Sequence, residues 1–223
     1  AQTTNSELIE KASRKILYAG LAPDSFPRES EFLAVDKILE MINKGVIPRA
    51  TLVYRPVGLT EKEQYIVEVK YKNNDLIEIQ APQTSMIGIK EKYNGSVASD
   101  LESYVNQIAG VDLMVMSATT TMAFEMLYIG VPCIANFTDP TGILAKKGFT
   151  SSYIDDDAFL VSAKGMLISF TLDEMIAHIC TSLKHPSNTE SVAASVLYEW
   201  DYGNSHYVED FIGIIEGFVE QKT

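Results

Sequence analysis

Apolar residues in this chain fall into short continuous runs separated by longer stretches in which they recur every three or four positions. The first run, ILYAG at 16–20, ends in glycine, and residues 31–44 follow with Phe32, Val35, Ile38, Leu39 and Ile42 at helical spacing. That predicts a strand, a loop and a helix. The loop, LAPDSFPRES, is longer than a tight strand-to-helix connection needs, and long loops at strand ends commonly carry function. Residues 51–56 form a second strand, closed by Pro56, which cannot donate to a ladder. A polar helix is expected over 61–72. The strand after it, 75–81, alternates apolar with polar, as a less buried position nearer the edge of a sheet would. Residues 82–98 show no period and read mostly as loop, with a short extended piece at 86–89. A helix over 100–109 then leads into the centre of the chain.

That centre is DLMVMSATTTMAFEMLYIGVPCIANF, residues 112–137. The apolar run 113–116 reads as a buried strand, and Ser117 with Thr119, Thr120 and Thr121 places four hydroxyls where it enters a helix. The helix is expected to carry Met122, Met126 and Ile129 on one face and to stop at Gly130, where a left-handed residue costs least. Residues 131–135 start the next strand. Beyond it come a glycine-bearing loop at 138–148, an acidic run at 155–157, a strand at 166–170 and helices at 172–183, 191–200 and 207–220.

Strands and helices alternating in one order imply parallel crossover units. The expected fold is α/β, a doubly wound, mainly parallel sheet with C-terminal helices. No linker or repeat divides it, so residues 1–223 are read as one domain, with 1–14 as a lead-in and 14–220 as the core. Ligands of such sheets bind outside the carboxyl ends of the strands, which puts Gly20, Arg55, Ala81 and Ser117 on one rim.

Composition narrows the choice of ligand. Eighteen Lys and Arg face 30 Asp and Glu, a net charge of -12, so the average surface repels nucleic acid and anionic membranes. Any anion must be held by local dipoles and hydroxyls. No run approaches the length of a membrane span, and the N-terminus lacks the apolar core of a signal peptide, so a cytoplasmic location is expected. Cys133 and Cys180 are read as buried free thiols of a reducing compartment rather than as a disulfide. The chain begins with alanine, which fits either processing or a piece of something longer.

Neither G-x-G-x-x-G nor a P-loop is present, and there is no nucleophile elbow or zinc-type cluster. His178, His185 and His206 read as surface or packing residues, and the acidic run as a solvated loop rather than a cation site. One helix cap needs one hydroxyl, and here are four in five positions. Either Ser117 or Thr119 merely caps the helix, or the turn receives a phosphate, which backbone N–H groups and the helix dipole favour. Glu125, one turn further on, is then placed to accept hydrogen bonds from two ribose hydroxyls.

SATTTMAFEMLYIGVPCI resembles the signature in the C-terminal, donor-binding half of GT-B-fold glycosyltransferases and relatives that build surface and capsular polysaccharides. ILYAG, LVYRP and YEWDYGNSHYVEDFI resemble its flanks, and the likeness covers most of residues 14–220. It implies a Rossmann-like half of a GT-B fold in which Glu125 binds the ribose. Ser117 and Thr119 to Thr121 would meet the diphosphate, the loop after Gly20 would flank the donor, and residues 81–84 would border the base. Arg28 and Arg55 are the candidate phosphate cations. Where these families often read Arg-Pro-His-Pro, this chain reads Arg55-Pro56-Val57-Gly58 and lacks that histidine.

The resemblance implies a glycosyltransferase that needs no cofactor or metal, with a nucleotide sugar as donor substrate and no catalytic residue assigned. An N-terminal acceptor domain or a partner chain would complete it, so this chain alone is expected to bind without transferring sugar. The alternatives are a non-hydrolysing sugar-nucleotide 2-epimerase-like domain and a non-catalytic α/β interaction module.

Overall fold

A computed structural model describes residues 14–21, 26–57, 61–80, 110–120, 122–147 and 165–185, with Ile108 and Ala163 besides. In chain order the elements are β1 (Arg14–Ala19), α1 (Arg28–Asn43), β2 (Ala50–Arg55), α2 (Glu61–Tyr71), β3 (Ile77–Ile79) and β4 (Leu113–Ser117). Then follow α3 (Met122–Tyr128), β5 (Cys133–Asn136), α4 (Ile143–Lys147), β6 (Met166–Ser169) and α5 (Leu172–Lys184). The six strands form one sheet in the order β3-β2-β1-β4-β5-β6, every pair parallel. The chain runs outward from β1 to β3, returns to the middle at β4, and runs outward the other way to β6.

Because crossovers keep one hand, this reversal sends α1 and α2, which follow β1 and β2, to one face and α3, which follows β4, to the other, while α5 crosses back after β6 to the α1 face. On one face Ile16, Leu52, Val115 and Ile134 pack against Val35, Ile38 and Ile42 of α1 and Met175, Ile179 and Leu183 of α5. On the other, Leu17, Val53, Met114 and Cys133 pack against Ala123, Met126 and Leu127 of α3. A fully buried Leu, Ile, Val or Met contributes about 1.5 to 3 kcal/mol. Two complete faces therefore hold the sheet, and its central strands read as unbroken apolar runs because neither side meets water.

The expected α/β fold with a parallel, doubly wound sheet holds throughout the described residues. β3 lies at the edge and is half exposed, as its alternation indicated. α1 begins at Arg28, three residues ahead of the expected start, because Pro27 at the N-cap already holds extended backbone and Glu29 and Glu31 suit a first turn. In the expected loop at 138–148 a five-residue helix, α4, forms where the Asp139 carboxylate accepts from the backbone of Ile143 and Ala145 at 3.0 Å each.

α3 corrects the expected apolar face. Ala123, Met126 and Leu127 are buried, Met122 is only partly so, and Ile129 is 46 % exposed because it already lies past the last helical turn. The stop at Gly130 is as expected. Gly130 has φ 82°, its N–H donates to Leu127 O at 3.0 Å, and Val131 N–H donates to Met126 O at 2.8 Å, which closes the helix end with two bonds. Gly130→Ala is expected to lower stability by about 1 to 2 kcal/mol, since a Cβ is strained at that φ. An unchanged urea midpoint would show that the turn relaxes freely. The expected helices at 191–200 and 207–220, the helix at 100–109 apart from Ile108, the acidic run and His206 lie outside the described residues.

Candidate functional site

β1, β2 and β4 end together. Ala19 is in register with Arg55 on one side and with Met116 on the other, so the segments after all three strands leave from one edge. Between β1 and β4 the winding reverses, neighbouring loops diverge, and a crevice is unavoidable. A cavity of about 350 Å³ opens there. Gly20 and Leu21 line it from β1, Arg55 and Val57 from β2, and Thr120 and Glu125 from the turn and helix after β4. Its size is that of a small-molecule site.

The turn into α3 is unusual. Ala118 has φ 54°, the left-handed region, at a cost of about 1 to 2 kcal/mol for a residue with a Cβ. Its N–H is fixed to Asn136 O of β5 at 3.0 Å. This bend lets Thr120 and then α3 come round beside β1 rather than continue the line of β4. The Thr120 hydroxyl is buried with no hydrogen-bond partner among the described residues, and its carbonyl accepts from Ala123 N–H at 3.0 Å. A strained turn and an orphaned hydroxyl at the edge of a cleft are features that folding alone does not favour. Glu125 is half-buried on the first turns of α3.

A second polar cluster lies under the cleft, on the α1 side of the sheet. The Glu31 carboxylate is completely buried and accepts from four groups. Arg28 Nη1 donates at 2.5 Å, Ser117 Oγ at 3.3 Å and Leu21 N–H at 3.3 Å, and the Tyr54 hydroxyl donates at short range. The Tyr18 hydroxyl shares a further bond with Ser117 Oγ at 3.0 Å. Arg28 also donates from Nη2 to Val57 O at 2.6 Å and from Nε to Glu63 at 3.5 Å. Burial pushes the Glu31 carboxyl above the usual carboxylate range, against the pull of the Arg28 guanidinium, and pushes the Tyr54 hydroxyl up as well. Gly20 is glycine for this cluster's sake. A Cβ there would stand 2.5 Å from Glu31 Oε1.

Of the residues singled out in the sequence, the fold brings Gly20, Arg55, Thr120 and Glu125 together in one cleft. Ser117 and Arg28 do not line it. Ser117 points to the opposite face of the sheet and its hydroxyl is taken by Tyr18 and Glu31, while the Arg28 charge is taken by Glu31 and Glu63. Thr119 is buried and also away from the lining, and Thr121, with residues 81–84, lies outside the described residues. Leu21 belongs to the loop expected to flank the donor, Val57 was noted only as standing where related sequences carry histidine, and Glu31 was given no role in the sequence. Among the described residues no group of three or more His, Cys, Asp or Glu is arranged to hold a metal ion, and no helix is long and apolar enough to cross a membrane. Cys133 and Cys180 are free, the first buried and the second partly so. His178 Nε2 meets Ile168 O at 3.1 Å, a packing role.

No family model matches the sequence, and no curated protein is significantly similar to it. Solved structures are. A candidate UDP-N-acetylglucosamine 2-epimerase from Listeria monocytogenes superposes with a TM-score of 0.52 at 12 % identity, over 87 % of this chain and 43 % of that one. S. aureus MnaA, solved with UDP, gives 0.53 at 13 %, over 98 % of this chain and 48 % of that one. Acinetobacter baumannii MurG, at 0.37 and 10 % identity over 97 % and 55 %, is too distant to carry an argument. At these identities the likeness shows a shared α/β, Rossmann-like fold. The chain spans less than half the length of the first two.

Proposed function

We propose that this chain binds a nucleotide sugar as the donor half of a GT-B-type glycosyltransferase of polysaccharide or glycan biosynthesis. The reading is carried by one observation: Gly20, Arg55, Thr120 and Glu125, brought together from the ends of β1, β2 and β4, line a single cleft at the point where the sheet reverses its winding. In it Glu125 accepts from the ribose hydroxyls, and Arg55 with the Thr120 hydroxyl faces the diphosphate. The loop after Gly20 flanks the donor. In transfer the nucleoside diphosphate leaves, and donors held in place around its growing charge stabilise it without reorganising. The acceptor and the groups that activate it belong to a further domain or partner chain. Ser117, Thr119 and Arg28 act through the shape of the cleft rather than on the ligand.

The 2-epimerase reading stands beside it because the Listeria protein, similar in fold, is named a UDP-N-acetylglucosamine 2-epimerase. Both readings need the same nucleotide-diphosphate site, so binding is tested first. Calorimetry with UDP, other nucleoside diphosphates and their sugars is expected to show a preference over the bare nucleoside of about tenfold or more, since each bond to a charged phosphate is worth about 1.5 to 3 kcal/mol. If no nucleotide binds at millimolar concentration, the site reading fails and the interaction module stands. With UDP-N-acetylglucosamine in deuterated water, label appearing at sugar carbon 2 would mark epimerisation. Transfer to an acceptor only when a second domain is added would mark the glycosyltransferase.

A further inference from the structure

The buried Arg28–Glu31 pair lies outside the cleft, yet three of the groups it holds are cleft wall. Glu31 accepts from the N–H of Leu21 and fills the space beneath Gly20, so it fixes the segment leaving β1. Arg28 donates at 2.6 Å to the carbonyl of Val57, so it fixes the segment leaving β2. The two side chains meet at 2.5 Å, three residues apart at the start of α1. Arg28 reaches further, to Glu63 on α2, and Glu31 accepts from Tyr54 on β2 and Ser117 on β4. One ion pair at the start of α1 thus ties together α2, β2, β4 and the segments that leave β1 and β2.

We propose that Arg28 and Glu31 are positioning residues that lock the two walls of the cleft, the Gly20–Leu21 segment and the Val57 segment, into one geometry. Stability alone does not account for the arrangement. A buried pair replaced by apolar groups of similar volume often costs nothing, so a fold seeking only stability has simpler solutions. What a guanidinium and a carboxylate add is a set of directed bonds to several backbones at once. The consequence for a ligand follows from the nucleotide-sugar reading and rests on it: a cleft with one wall released must order that wall on binding and loses affinity.

The experiment separates the bridge from the ion pair. Arg28→Lys keeps a cation beside Glu31, but an ammonium cannot reach Glu31, Val57 O and Glu63 from one rigid fork. The folded variant is expected to exchange the amides of Leu21 and Val57 faster by NMR, with exchange in the β4–β5 core unchanged, and to bind UDP about tenfold more weakly or worse. A purely structural ion pair would leave both readouts near wild type, and that result overturns the proposal. Should Arg28→Lys fail to fold, Arg28→Met/Glu31→Gln removes both charges together and the same amides are read. Loosening of both segments supports the proposal and wild-type exchange overturns it. If the wild type binds no nucleotide while the variant still loosens both walls, the nucleotide reading has failed and the positioning role stands.

Discussion

Glu31→Ala is expected to be among the most damaging single substitutions in the chain, at about 3 to 5 kcal/mol. Its carboxylate is fully buried and accepts from Arg28, Tyr54, Ser117 and the Leu21 amide. Alanine leaves all four donors without that acceptor and strands the Arg28 guanidinium, itself 6 % exposed, with Glu63 as its remaining carboxylate. Each orphaned donor costs about 1 to 3 kcal/mol, and an unpaired buried charge costs more. Domains of this kind have about 5 to 15 kcal/mol to lose, so the variant should unfold at far lower urea. The double variant Arg28→Met/Glu31→Gln should be less harmful than either single change. Urea unfolding followed by circular dichroism measures both. A loss below about 1 kcal/mol for Glu31→Ala would mean that water or a rearranged Arg28 satisfies the cluster, and that the buried network is not rigid.

That network shows where reading a sequence stops. The strands were legible because a buried parallel strand has one signature, an apolar run such as LMVM at 113–116, and no surface position imitates it. Their parallel pairing was legible because strands alternated with helices. The cleft followed from topology, and Gly20, Arg55, Thr120 and Glu125 were each named from the sequence. Which hydroxyl-bearing residue lines the cleft was not. Period two along β4 decides that Ser117 looks to the α1 face, and after the left-handed turn at Ala118 it is Thr120 that reaches the cleft lining. A single alanine φ is invisible in the residue string.

Glu31 carried a signal that was available and passed over. It lies four, seven and eleven residues before Val35, Ile38 and Ile42, on the buried stripe of α1, where a solvated carboxylate does not belong. With Arg28 three residues ahead, the pattern looks like an ordinary exposed i,i+3 pair. Distinguishing the two needs the partners, and they come from the segment after β1 and from β2 and β4, the last two farther off in sequence. Short helices are hard for a similar reason: Ile129 matched the helical period of Met122 and Met126, but α3 ends before reaching it.

Glu125→Gln is expected to weaken nucleotide binding by about ten- to a hundredfold while changing folding stability by less than about 1 kcal/mol. The carboxylate is half-buried in the lining of the cleft, on the first turns of α3. If it accepts from both ribose hydroxyls, glutamine of the same size keeps one acceptor and turns an amide N–H toward a group that already donates. Losing charge-assisted bonds of this kind costs about 1.5 to 3 kcal/mol, which is the stated range of affinity. The decisive control varies the ligand. A 2′,3′-dideoxy nucleotide has no hydroxyls to offer, so the wild type should bind it weakly and the glutamine variant should lose almost nothing more, a coupling that calorimetry on both proteins with both ligands measures directly. Equal weakening of the native and dideoxy nucleotides would place Glu125 elsewhere on the ligand, or show it to act only through the cleft's charge, and the ribose assignment would be withdrawn.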